Sequence, residues 1–276
     1  MNITYQSNTY PSQSRAVAYG DGCFTTMLVR QGAIQLFELH MQRLQQDTQK
    51  LGLKEFQPEE FRQFIDTLQT NELAQQNLVL KVLVSAGMGG RGYQRDHNAE
   101  LQVNVTSHPV PEYYEQWQEQ GIALGLSPFK LAMQPELSGI KHLNRLEQVL
   151  VKSAFAYASN ETQDEIVTDT QGMVVETSVA NLFWRENQQW FTPDLHYCGV
   201  AGVMREHIIQ RLAEHGFLVH QVRVKPQLLS RVDSLLMCNS LMQLVPVTSL
   251  IFDENSYEIA CSQKDVADIH RIVFGE

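Results

Sequence analysis

The chain is predicted to be α+β, built as two lobes that each pack helices against a mixed sheet. Three observations carry this. The 276 residues exceed what one compact core usually fills, and fit two domains of about 130 residues each. Stretches of period-two alternation are interleaved with stretches of helical period. His108-Pro109-Val110-Pro111 is a break, since each proline restricts itself and its predecessor to extended geometry. The predicted lobes are therefore 1–110 and 111–276.

The elements follow in chain order. Cys23–Arg30 and Ala33–Phe37 are β-prone runs joined by Gln31-Gly32, where glycine can take the positive φ of a tight hairpin. From Glu38 to Leu53 the residues favour helix. Phe61, Phe64, Ile65 and Leu68 then recur at helical spacing after Pro58-Glu59-Glu60, a helix-opening triplet. Leu78–Val84 and the alternating Leu101, Val103 and Val105 read as strands. Between them Gly87-Met88-Gly89-Gly90-Arg91-Gly92-Tyr93 is too rich in glycine for regular structure. In the second lobe a strand is expected at Ile122–Leu126, then a polar loop to Gly139, then an amphipathic helix carrying Leu146, Val149, Leu150, Ala154 and Tyr157. Two hairpin pairs follow, Glu165–Thr168 with Met173–Glu176 and Asn181–Arg185 with Gln189–Thr192. Gly202–His215 reads as a helix stopped by Gly216.

Composition narrows the function. With 31 acidic against 21 basic side chains the net charge is −10, which opposes extended contact with nucleic-acid phosphates or anionic membranes. Apolar runs such as Leu78–Val84 and Leu244–Phe252 are broken by polar residues or proline and fall short of the roughly 20 residues of a membrane helix. The start, Met1-Asn2-Ile3-Thr4-Tyr5-Gln6, has no basic segment followed by an apolar one, so a cytoplasmic address is expected. Cys23, Cys198, Cys238 and Cys261 are scattered singly, the pattern of reduced, core-filling thiols rather than of a zinc site. No metal is expected. There is no G-x-S-x-G, no H-E-x-x-H, and no Walker loop. The Gly87–Gly92 segment follows a strand but opens no helix, and so fails the dinucleotide fingerprint.

Three constellations remain. Lys141, flanked by Ile140 and Leu143, is either an exposed lysine before a helix or an amine desolvated enough for Schiff-base work. The run Gly199-Val200-Ala201-Gly202-Val203-Met204-Arg205 puts small residues at a helix start, where open N–H groups suit an anion. Glu176 ends the apolar run Met173-Val174-Val175 and needs a partner if buried.

Taken in order, Tyr19-Gly20-Asp21-Gly22-Cys23-Phe24-Thr25-Thr26, His40-Met41-Gln42-Arg43-Leu44, Lys141, Glu176 with Asn181-Leu182-Phe183, and Gly202-Val203-Met204-Arg205 resemble the fold-type IV pyridoxal-phosphate enzymes. That group includes branched-chain and D-amino-acid aminotransferases and a lyase branch. The stretches Gly89–Tyr93, Gly139–Leu150, Ala180–Trp184 and Cys238–Met242 resemble the lyase branch most.

The resemblance implies two α/β lobes with pyridoxal 5'-phosphate in the cleft between them, the second lobe carrying the Schiff-base lysine, Lys141. It implies Arg43, Val203 and Met204 on the cofactor phosphate, Glu176 against the pyridine nitrogen, and Asn181 and Ser240 beside the cofactor. Asn181 and Ser240 remain open to ordinary turn and strand roles. Arg91 is a candidate for a substrate carboxylate on a loop that could close as a lid, and Thr26 a second substrate contact. Alternation puts Phe24 and Thr26 on one face without saying which. The implied reaction turns 4-amino-4-deoxychorismate into 4-aminobenzoate and pyruvate for folate synthesis, with amino transfer on D- or branched-chain amino acids as the alternative. A homodimer is implied as well.

Overall fold

The computed structural model describes residues 1–7, 11–69, 73–155, 161–252, 255–259 and 263–275. Contacts divide the chain into two units: Met1–Val110 with Ile140–Arg145, and Pro111–Gly139 with Leu146–Glu276.

In the first unit the alternating runs become strands that share one sheet. After β1 (Asn2–Tyr5) and the short α1 (Arg15–Tyr19) come β2 (Gly22–Arg30) and β3 (Ala33–Ile34). The second run of this hairpin is shorter than its β-prone residues suggest, because Leu36 takes a left-handed conformation and turns Phe37 into the first residue of α2 (Phe37–Lys50). The unit continues with α3 (Pro58–Gln69), β4 (Leu78–Ser85) and β5 (Gln102–His108). Among the described residues the sheet order is β1-β5-β4-β2-β3, with β1 parallel to β5 and the other pairs antiparallel. Cys23 and Met27 of β2 join Met41 and Leu44 of α2, Phe61 and Ile65 of α3, and Leu80, Val82 and Val84 of β4 in one core. That core fixes the face of β2 turned towards the helices and leaves Phe24 and Thr26 on the other face.

The segment Ile140–Arg145 belongs to this unit, which corrects the expectation that Lys141 sits in the second lobe. Ile140 is wholly buried in the core of the first unit. Phe24 donates its N–H to the Lys141 carbonyl at 2.9 Å, and Leu143 donates to the Gly22 carbonyl at 2.9 Å. The segment thus runs beside the start of β2, bridged at Cys23 and His142. Such a visit by a distant stretch of chain leaves no local signature.

The second unit opens with α4 (Tyr113–Gln120), which the sequence reading passed over. Tyr114 is buried on it, and Tyr113 meets Trp117 one turn on, ring centroids 4.7 Å apart. There follow β6 (Ile122–Leu131), α5 (Leu146–Phe155), β7 (Asp164–Asp169), β8 (Val174–Thr177), β9 (Asn181–Glu186) and β10 (Gln189–Pro193). The unit ends with α6 (Val203–Glu214), β11 (Val219–Val222), β12 (Ser234–Asn239), β13 (Gln243–Phe252), β14 (Asn255–Glu258) and α7 (Gln263–Phe274). The two expected hairpins form, with Val167 opposite Glu176 and Trp184 opposite Phe191. Among the described residues all these strands join one sheet in the order β11-β10-β9-β12-β13-β6-β7-β8, with β14 on β13. Gly216, at φ 81°, follows the end of α6. Its missing Cβ makes that conformation cheap.

Helix α5 forms where helical periodicity predicts it, but its stripe is turned outward. Leu146, Val149 and Leu150 are 69, 56 and 43% exposed, while Val151 is buried. Tyr157 of the same expected stripe lies outside the described residues. Cys23, Cys198 and Cys238 are buried and unpaired, as core-filling thiols should be. Cys261 lies outside the described residues. Among the described residues no helix is long and apolar enough to cross a membrane.

Candidate cofactor and substrate site

The chemistry of the first unit gathers around Lys141. Its Nζ lies 4.7 Å from the centroid of the Phe24 ring, within the range of a cation over an aromatic face. Its backbone N–H donates to Asp47 Oδ2 at 3.2 Å. Asp47 is one turn beyond Arg43 on α2, and both side chains are buried. Burial pulls the Arg43 guanidinium down to about 10, against the attraction of the Asp47 carboxylate. Burial pushes Asp47 up, with Arg43 and the Lys141 amide opposing it. One short helical stretch therefore carries the predicted phosphate ligand and an acid that fastens the predicted Schiff-base lysine. Asp47 was missed by sequence reasoning. Its place four residues after Arg43 is a visible i, i+4 pair, but its bond to Lys141 spans 94 positions.

His40 of α2 is wholly buried, its Nδ1 2.6 Å from Thr25 Oγ1. Burial drives its pKa down to about 3, helped by the Arg43 charge, so the ring is neutral. Thr26, the other predicted substrate contact, lies on the opposite face with Phe24, paired across the sheet with Lys81.

The glycine-rich loop that carries Arg91 is anchored from beneath. Arg15 donates to the carbonyls of Gly92, Tyr93 and Gln94 and to Asp21. Arg95 holds both oxygens of Asp21 and the carbonyls of Leu51 and Gly52. These two guanidiniums outweigh burial and keep the Asp21 carboxyl below its usual range. Arg91 is exposed at the top of this loop.

The second unit collects its predicted residues around the turn before α6. Glu176 of β8 is buried and accepts the Val200 N–H on Oε2 at 2.9 Å. Asn181 of β9 grips the same turn, donating to the Val200 carbonyl at 2.8 Å and accepting from the Gly202 N–H at 3.1 Å. Gly139 adds two backbone bonds, to Gly199 and Ala201. The turn leaves no room for larger residues. A Cβ at Gly199, whose φ is 91°, would come within 2.5 Å of Val175, and one at Gly202 within 2.1 Å of Asn181. Gly202 is the N-cap of α6 and no side chain caps the helix, so the N–H groups of Val203 and Met204 point from an uncapped helix start, the arrangement that holds anions. Ser240 lies in the turn after β12, half-buried, where Asn239 Oδ1 accepts from the Leu241 and Met242 amides.

The residues fit pyridoxal phosphate unit by unit. The first offers an amine over an aromatic ring and a buried guanidinium. The second offers a buried carboxylate and an uncapped helix start behind a glycine turn that only small residues can form.

Comparison with known proteins points the same way. The profile of the family described as Amino-transferase class IV matches residues 22–250. An aminodeoxychorismate lyase of Vibrio harveyi is 34% identical over 248 residues, 90% of each chain. The crystal structure of 4-amino-4-deoxychorismate lyase from Pseudomonas aeruginosa superposes with a TM-score of 0.85 at 31% identity, covering 98% of this chain and 97% of that one. A hypothetical aminotransferase from Mycobacterium tuberculosis, in its PLP-bound form, shares the fold at 18% identity, with a TM-score of 0.80 over 98 and 95% of the two chains. With its two α/β units and a profile match over most of its length, the chain belongs to the aminotransferase class IV family, the fold-type IV group.

Proposed function

We propose that this chain is a pyridoxal-phosphate-dependent lyase converting 4-amino-4-deoxychorismate to 4-aminobenzoate and pyruvate, a step that supplies folate synthesis. The observation that carries the choice of lyase over amino transfer is the likeness to two lyases at 34 and 31% identity over nine-tenths or more of both chains. The PLP-bound aminotransferase shares the fold at 18%.

When bound, the cofactor supplies an electron sink for charge left on the substrate carbon that bears the amine. The remaining work belongs to the protein. Lys141 Nζ would hold the cofactor at its aldehyde carbon until the substrate amine takes that place, and the amine so freed would take the proton from the amine-bearing ring carbon of the substrate. Cleavage of the neighbouring ring carbon–oxygen bond would then aromatise the ring, and the departing enolpyruvate would take up the proton held by Lys141 to become pyruvate. Arg43 binds the cofactor phosphate, which a planar cation suits, and the Val203 and Met204 amides bind it from a helix start. Glu176 would face the pyridine nitrogen and keep it protonated. Asn181, by holding Val200 and Gly202, shapes the turn ahead of those amides, and Ser240 completes the cofactor's surroundings. Thr26 and Arg91 contact the substrate. Two copies of the chain pair as a homodimer, a reading supported by the outward stripe of α5.

Incubation with 4-amino-4-deoxychorismate should yield 4-aminobenzoate, and incubation with D-alanine and a 2-oxo acid should not yield the exchanged pair. Lys141→Ala should abolish both the visible absorbance band and 4-aminobenzoate formation. Transamination without 4-aminobenzoate would select the alternative, a D- or branched-chain aminotransferase. Activity retained by Lys141→Ala would overturn both readings.

A further inference from the structure

The peptide bond that precedes Lys141 is held at its two ends by side chains of opposite charge. Its N–H donates to Asp47 Oδ2 at 3.2 Å, and its carbonyl, that of Ile140, accepts from Arg145 Nη2 at 2.6 Å. Arg145 Nε also donates to the His142 carbonyl at 2.9 Å, so one guanidinium straddles Lys141. From β2 comes a further bond, the Phe24 N–H to the Lys141 carbonyl. The Ile140 side chain is wholly buried in the core of the first unit. Asp47 is itself buried on α2, one turn beyond Arg43, and the Arg145 charge acts on its carboxylate.

A lysine's four-carbon stem is flexible, so the reach of Nζ is set by the direction in which the side chain leaves the backbone, and that direction follows the plane of the preceding peptide. A hydrogen-bond ladder fixes such planes in helices and strands, but Lys141 lies in neither. A carboxylate on the N–H and a guanidinium on the carbonyl align this peptide from both ends, and charge-assisted bonds are about twice as strong as neutral ones. Neutralising Arg43 would require only that Asp47 stand nearby on α2. The bond to the Lys141 amide is directional and reaches a residue 94 positions away.

We propose that Asp47, together with Arg145, is a positioning residue for the reaction: the pair orients the backbone of Lys141 so that its amine, once released from the cofactor, stands where the substrate proton must be taken. This rests on the role of Lys141 proposed above, in which one amine both carries the cofactor and moves a proton. Proton transfer needs the two heavy atoms within hydrogen-bond reach, and a displacement of about 1 Å can cost about 10²-fold in rate. Substrate binding makes no comparable demand on this peptide, so the effect falls on kcat.

The test compares Asp47→Ala, which removes the acceptor, with Asp47→Asn, which keeps an oxygen for the Lys141 amide and discards the charge. In the cofactor-loaded protein Asp47→Ala should lower kcat for 4-aminobenzoate formation about tenfold or more and leave KM within about threefold of the parent. Asp47→Asn should recover most of the loss. Deuterium exchange gives a readout independent of activity. By mass spectrometry of peptides spanning 140–145, the Lys141 amide should exchange several-fold faster in Asp47→Ala and near the parent's rate in Asp47→Asn. Should Asp47→Ala fail to fold, Arg145→Met, which releases the Ile140 and His142 carbonyls, carries the same expectation for kcat and KM. A lower melting temperature with kcat unchanged would reduce Asp47 to a structural acid and overturn the role, as would unaltered exchange at Lys141. Equal losses in the Ala and Asn variants, or a loss that excess cofactor restores, would place the effect on the charge beside Arg43 and overturn it too. If the parent makes no 4-aminobenzoate, the activity itself fails in the unsubstituted enzyme. The positioning role is then read from the exchange and from the yield of cofactor fixed on Lys141 by borohydride, which should fall in Asp47→Ala.

Discussion

At the scale of the residue, burial of ionisable side chains decides behaviour, and His40 is the sharpest case. Its ring has a hydrogen-bond partner only on the Thr25 side, Nε2 being buried without one among the described residues. Its pKa in the fold is about 3, against 6.5 for the free side chain. As pH falls below 6.5 the unfolded chain takes up this proton first, so the stability that the neutral ring contributes is present above 6.5 and drains away as pH falls towards about 3. Between pH 7 and 5 the loss is about 2 kcal/mol. His142, lowered to about 4 by burial and by Arg145, acts in the same sense, and Asp47, raised by burial, acts against it. His40→Gln, which can still bond Thr25, should therefore show a pH 7-to-5 fall in urea-unfolding free energy smaller than the parent's by about 2 kcal/mol. Parallel curves would refute the assignment. Of the candidate cofactor residues, Lys141 and Glu176 stand out by their local context in the sequence, whereas Arg43 is implied only by the resemblance to the fold-type IV enzymes. Asp47 was not legible there, since its meaning comes from a partner 94 positions away across the fold.

At the scale of the element, period and punctuation found most of what has a local cause. The α2 and α3 helices, the β2 and β4 strands and the hairpins β7–β8 and β9–β10 carry their own patterns. Helix α4 was passed over because its polar, aromatic sequence lacks an apolar stripe, and the strands β1, β11 and β14 are only four residues each. The glycine-rich loop shows the limit most clearly. Read locally it is a candidate lid, yet Arg15, more than seventy residues earlier in the chain, holds three of its carbonyls, and Arg95 ties its far end to Asp21 and to the end of α2. Asp21 is the hinge of this network, since both guanidiniums bond its carboxylate. Asp21→Asn leaves two cations competing for a neutral amide, one of them on the buried Arg15. Breaking a buried charge pair from one side costs about 3–5 kcal/mol, and part-exposure of Arg95 places this case near the lower end. The variant should melt earlier, and under native conditions trypsin should cleave after Arg91 and Arg95 several times faster than in the parent, as read by mass spectrometry of timed digests. Unchanged cleavage would mean that the loop is held by something other than Asp21.

At the scale of the whole molecule, the unresolved pattern is the outward stripe of α5. Helical periodicity correctly says that Leu146, Val149 and Leu150 form one apolar face, since they stand at i, i+3 and i+4. It does not say what covers that face, and within one chain these three side chains remain 69, 56 and 43% exposed. Exposed apolar residues scattered singly are ordinary, but a contiguous run on one helix is the mark of an association surface. Pairing of two identical stripes about a two-fold axis lets each chain cover the other with the same residues, which is the economical closed solution for a homo-oligomer. The proposed homodimer therefore predicts a specific response. Leu146→Glu with Val149→Glu places two carboxylates on the stripe, opposite the same two on a partner copy, and repulsion joins the loss of buried apolar area. Sedimentation equilibrium should give twice the 31.5 kDa chain mass for the parent and a single chain mass for the double variant. The parent's melting temperature should rise with protein concentration and that of the variant should not. If the variant still sediments as a pair, the dimer is built on another surface and the α5 stripe is not its contact. A parent that sediments as a single chain would remove the homodimer altogether.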